Sequence, residues 1–126
     1  MQTFNQIADR DAGSADAFIG TCLMSIPYMQ SAHFATTSYA QHMAYETFYK
    51  AMPALVDKFA EIHIAITGRY KPVLKVDNVV DTVEHMRRIV QAADEIYPTQ
   101  DSALKTVLDE IKTLCYQTIY KLKQFD

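Results

Sequence analysis

Apolar residues recur along this chain with the period of a helix, and no stretch alternates apolar and polar positions as a half-buried strand would. Over 14–34, Phe18, Cys22, Ile26 and Met29 fall on one stripe, with Ser14 placed to cap the start. Pro27 lies inside that stripe and predicts a bend. After a polar link at 35–37, a second helix is predicted over 38–67. Ser38 and Gln41 have the spacing of a capping box, and Gly68 supplies the stop. A third helix is predicted over 78–97, capped by Asp77 and ended by Pro98, with Val79, Val83, Met86, Val90, Ala93 and Tyr97 as its apolar stripe. The fourth, over 101–123, carries Leu104, Val107, Leu108, Ile111, Leu114, Cys115, Thr118 and Leu122 in a coiled-coil-like seam. Four helices in 126 residues predict one all-α domain, a four-helix bundle.

Composition narrows the function classes. Apolar residues make up 49% of the chain, enough for a core. A net charge of −3 does not point to nucleic-acid binding. No apolar run approaches the roughly 18 residues of a membrane span. The opening MQTFNQIADRDAGS lacks the layout of a signal peptide. Cys22 and Cys115 read as two buried thiols rather than a disulfide framework, so a cytoplasmic protein is expected.

The second helix carries candidate chemistry. With His42 as origin and about 100° per residue, Glu46 falls near 40°, Asp57 near 60° and Glu61 near 100°. Phe48, Met52, Leu55, Phe59, Ile62 and Ile66 gather around roughly 200–280° instead. The polar quartet therefore stands off the core stripe. His42 and Glu46 are one turn apart, as are Asp57 and Glu61, so each pair can share an ion. The two pairs are about 22 Å apart along the axis, too far for one ion. A second copy crossing antiparallel about a two-fold axis near residues 51–53 would bring His42 and Glu46 of one chain against Asp57 and Glu61 of the other, making two equivalent sites. Imidazole with several carboxylates suits Fe(II), Mn(II) or Zn(II), and the anionic oxygens also favour Fe(III). A solvated helix face explains the same spacing without a metal.

These residues resemble the Dps-type miniferritins of the ferritin-like superfamily. His42, Glu46, Asp57, Ala60 and Glu61 fall on that family's second-helix register, where Asp usually stands in place of Glu46. QSAHFATT resembles the AHWNVKG motif closing the family's first helix, which puts His33 at an iron-binding histidine. TGRYKP is similar to the GGYP segment after the second helix, and TIYKLKQF is weakly similar to the family's last helix. The resemblance implies an iron site completed across a dimer by His33, His42, Glu46, Asp57 and Glu61. It implies ferroxidase activity with peroxide or dioxygen, sequestration of Fe(III), and assembly into dimers or a hollow dodecamer.

The chain departs from that pattern in several places. His33 stands nine residues before His42, fewer than in the family, and Phe34 replaces its Trp. No short helix is predicted between the second and third helices. Residues 1–13 hold a single cation, Arg10, where some members carry a basic tail. The short chain is consistent with a reduced branch, such as the small ferritin-like proteins of tailed phages. A ferritin-type crossover between the second and third helices must span about 45 Å, whereas ten residues, 68–77, extend at most about 35 Å. An up-down-up-down bundle has no such difficulty, and only the resemblance implies the crossover.

Other motifs are weaker. No Glu-x-x-His occurs, which argues against the buried di-iron centre of many bundles. Asp81 with His85 is a third i,i+4 pair, on the third helix, and His63 reads as a core-edge imidazole. Tyr39, Tyr45 and Tyr49 lie near the candidate site and read as packing. A second function class remains beside the ferroxidase: an inactive helical bundle serving as an oligomeric structural or partner-binding module.

Overall fold

The computed structural model describes the backbone of residues 4–124 and the side chains of 15–124. It contains α1 (Phe4–Ala35), α2 (Tyr39–Thr67), α3 (Thr82–Ile96), a 3-10 turn (Tyr97–Thr99) and α4 (Ser102–Gln124). The four helices form the expected bundle. α1 packs on α2 and α3, and α4 packs on the same two, so α1 lies diagonal to α4 and α2 to α3. No helix among the described residues is long and apolar enough to cross a membrane.

The apolar stripes form the core. Phe18, Phe48, Met52, Phe59, Met86 and Ile111 are fully buried, and the whole predicted seam of α4 is buried. Phe18 and Phe59 meet edge to face at 5.2 Å. Burying each such side chain contributes about 1.5–3 kcal/mol. Cys22 on α1 and Cys115 on α4 are free and buried across the diagonal. Ile66 departs from expectation: it is exposed in the last turn of α2.

Helix ends show where local signals held and where contacts overrode them. Ser38 caps α2 by accepting from Gln41 N–H, and Gly68 ends it with φ 77°. α1 begins at Phe4 rather than 14, and the side chain of Ser14 lies outside the described residues. α1 stays continuous through Pro27. α3 starts four residues later than predicted, because Asp81 rather than Asp77 accepts from the first turn, at Glu84 N–H. The backbone N–H of Asp77 donates to Tyr28 Oη on α1, which keeps that segment extended.

That late start resolves the topology. Tyr45, near the start of α2, bonds Thr82, at the start of α3, so α2 and α3 are parallel. The connection runs back along the bundle as an extended strap, 68–81. It has fourteen residues between Thr67 and Thr82. Fully extended it reaches about 46–50 Å, enough to match the roughly 44 Å of α2. The strap follows α1. Lys71 N–H donates to Asp16 Oδ2, Val73 C=O crosses Gly20, and Tyr28 Oη donates to Lys75 C=O. A Cβ on Gly20 would lie 1.8 Å from Val73 O, so this crossing requires glycine.

Candidate metal centre

The α1–α2 turn determines where the candidate histidines go. Thr36 Oγ1 accepts from Ser38 N–H and donates to Gln41 Oε1, tightening a three-residue link. His33, in the last turn of α1, then lies directly over His42, in the first turn of α2. Their rings stack at 3.4 Å and 23°. The nine-residue spacing is the one this turn needs to pair them.

Each histidine is held by the other's backbone. His33 Nδ1 lies 2.8 Å from His42 O, and His42 Nδ1 lies 2.8 Å from His33 O. A carbonyl only accepts, so both Nδ1 atoms carry hydrogen. In the neutral rings Nε2 then holds the lone pair, and neither Nε2 has a partner among the described residues. Metal-bound histidines are typically oriented this way, with the distal N–H on a carbonyl or carboxylate. His33 is only 5% exposed, with Tyr49 edge-on at 5.2 Å and Phe34 at 5.4 Å. Tyr39 lies parallel to His42 at 6.3 Å.

The carboxylates are less gathered. Glu46 is half-buried and takes Lys50 Nζ at 3.4 Å, one turn along. Asp57 and Glu61 are exposed and form no ion pair among the described residues. They stand on the lip of a groove of about 370 Å³ between α1 and α2, whose apolar wall includes Ile19, Leu23, Ile26, Val56 and Ile64. Within one chain Asp57 stays about 22 Å and Glu61 about 28 Å from His42 along α2. No group of three or more His, Cys, Asp and Glu among the described residues is close enough to hold a metal. One chain thus brings His33 to His42 and Asp57 to Glu61, and keeps the two halves apart.

Other polar candidates serve the fold. His63 Nε2 meets Asp16 Oδ1 at 3.1 Å, both side chains buried, and Asp16 also receives Lys71 N–H from the strap. Sequence reasoning missed Asp16, because its partners lie 47 and 55 residues away. Asp81 caps α3 by accepting Glu84 N–H at Oδ1. His85 packs edge-on against Tyr28 at 5.4 Å, and its buried Nε2 has no hydrogen-bond partner among the described residues. Burial lowers the His85 pKa below its ordinary value, Arg88 lowers it further, and Asp77 partly offsets both.

The family of unknown function DUF5856 matches residues 33–122. The chain is also 34% identical over 111 residues to an uncharacterized 14.6 kDa protein from the mobD-ri intergenic region of Enterobacteria phage T4, covering 86% of this chain and 87% of that one. No solved structure matches. The chain belongs to the DUF5856 family, whose match takes in both histidines, all three acids and the strap.

Proposed function

We propose that this member of the DUF5856 family binds Fe(II) at a site shared by two copies of the chain, oxidises it with peroxide or dioxygen, and holds the ferric product. The reading rests on one observation above the rest: the reciprocal His33–His42 clasp, which ties down both Nδ1 atoms and leaves both Nε2 atoms for a ligand. An antiparallel pairing of α2 about residues 51–53 would set this clasp against the unpaired Asp57 and Glu61 of the second copy. Glu46 would join by leaving Lys50, and exposed ion pairs of that kind hold by only about 0–1 kcal/mol. The resemblance to Dps-type miniferritins supports the same set, His33, His42, Glu46, Asp57 and Glu61.

Iron is the substrate here. Two Fe(II) ions give up one electron each to peroxide. The O–O bond breaks, two protons are taken up, and two waters leave. The acids hold the Fe(III) formed, because anionic oxygens favour the higher charge. Mn(II) or Zn(II) would suit the same donors.

Anaerobic Fe(II) titration followed by peroxide tests the proposal. Saturable, stoichiometric oxidation is expected in the wild type and is lost in Asp57→Ala/Glu61→Ala with helical content unchanged. Equal behaviour of the two proteins would refute the ferroxidase reading. Light scattering would then separate dimer from shell, since mineral storage needs an enclosed cavity.

A second reading draws on the apolar groove beside those acids, together with exposed Phe34 and Tyr39. Such a face suits an inactive oligomeric or partner-binding bundle. It predicts a dimer that the Asp57→Ala/Glu61→Ala pair weakens and no iron oxidation in either protein.

A further inference from the structure

The strap meets α1 along one edge only. Lys71 N–H, Val73 C=O, Lys75 C=O and Asp77 N–H all turn toward α1. In an extended chain, peptide groups of successive residues point to opposite sides. The N–H and C=O of Leu74 and Val76 therefore point away from α1, and they have no partner among the described residues. Leu74 is 57% exposed and Val76 87%. Pro72, lacking an N–H, ends this edge on one side. On the other, Asp77 Oδ1 takes the N–H of Asn78. An open edge flanked by exposed apolar side chains is a template for strand pairing.

We propose that this edge pairs antiparallel with the same edge of a second copy, with Val76 opposite Val76. The register follows from charge and hydrogen bonding. A two-fold axis at residue 75 would set Lys75 against Lys75, and one at 77 would set Asp77 against Asp77. An axis at 74 would place Pro72 opposite Val76 and lose two bonds. Only the axis at 76 sets Lys75 against Asp77, twice, at the close non-hydrogen-bonded positions where side chains interact most strongly. Val76 then exchanges two bonds with its counterpart, and each Leu74 N–H donates to the Asn78 C=O opposite. Asp77 can turn toward Lys75 because its Oδ2 contact with Arg88 is long, at 3.8 Å, and exposed, and because letting Asn78 N–H go from Oδ1 frees that N–H for the Leu74 C=O opposite, a bond that the axis at 74 cannot make at Pro72. This interface shares no residue with the α2 face and stands whether or not that face binds iron.

The full chain carrying Val76→Cys tests it under mild oxidation. Paired residues at this position have Cα atoms about 5.5 Å apart, within disulfide range. Cys22 and Cys115 are buried and do not compete. Val80→Cys is the control: it is equally exposed, yet its two copies would lie about 26 Å apart. Rapid dimer cross-linking is expected for Val76→Cys and not for Val80→Cys. Adding Lys75→Asp or Asp77→Lys slows it roughly tenfold, as like charges then face each other. Mixing the two charge variants restores the rate, because opposite charges face each other again in the mixed pair. Equal cross-linking at 76 and 80, or charge reversals without effect, overturns the pairing.

Discussion

Replacing Gly20 by alanine sets two physical effects against each other with opposite signs. Gly20 lies inside α1, where helix propensity alone gives Gly→Ala about 1 kcal/mol of added stability. Against this, the new methyl carbon would sit 1.8 Å from Val73 O. An ordinary carbon–oxygen contact is about 3.3 Å, so the strap must retreat by about 1.5 Å. The obstacle is backbone, which cannot turn aside as a flexible side chain would. That retreat pulls on three hydrogen bonds: Asp16 to Lys71 N–H, and Tyr28 to Lys75 C=O and to Asp77 N–H. At about 1 kcal/mol net each, their loss outweighs the propensity gain and leaves Gly20→Ala roughly 1–2 kcal/mol less stable. For a chain of this size that lowers Tm by about 3–8 °C. Urea unfolding followed by far-UV circular dichroism gives the stability. Amide hydrogen exchange gives the location: Lys71 and Asp77 should exchange faster in the variant while α4 stays protected. A variant as stable as the wild type or more so, with unchanged exchange in the strap, would mean that the strap does not lie on α1 as described.

Two further outcomes are expected. His85 has a lowered pKa in the folded state, so the unfolded chain takes up its proton first as pH falls. Its contribution to stability is full above about pH 6.5 and is lost as the pH drops from there toward the lower folded value. Urea midpoints between about pH 7.5 and pH 5 should therefore fall more steeply in the wild type than in His85→Phe, and equal slopes would contradict the assignment. Burial holds the Cys22 thiol well above its ordinary range and pushes Cys115 up to about 12. Iodoacetamide at about pH 8 should label neither thiol in the folded protein and both in urea. Stoichiometric native labelling within minutes would show that the core opens far more readily than its packing implies.

Much of the bundle could be read from residue spacing, and the reason is local. The α4 seam from Leu104 to Leu122 buries as predicted because one helix repeat projects all of those positions to the same side. Ser38 and Gly68 end α2 where expected, since a cap acts on its own neighbours. The face shared by His42, Glu46, Asp57 and Glu61 follows from the same geometry, and all four stand outside the core. The start of α3 lies at Thr82 rather than 78, because Asp77 and Asp81 are equally good caps by residue type. Tyr28, 49 residues away, captures Asp77 N–H and leaves the start to Asp81.

Periodicity and capping residues alone determined four helices, their buried stripes and the polar row on α2, because each depends on residues within a turn or two of one another. Tertiary structure alone decided the crossover, the His33–His42 clasp and the Asp16–His63 pair. The clasp depends on how the 36–38 turn sets one helix against the next, and the other two on where a distant strap comes to rest, so close to α1 that only a glycine fits beneath it.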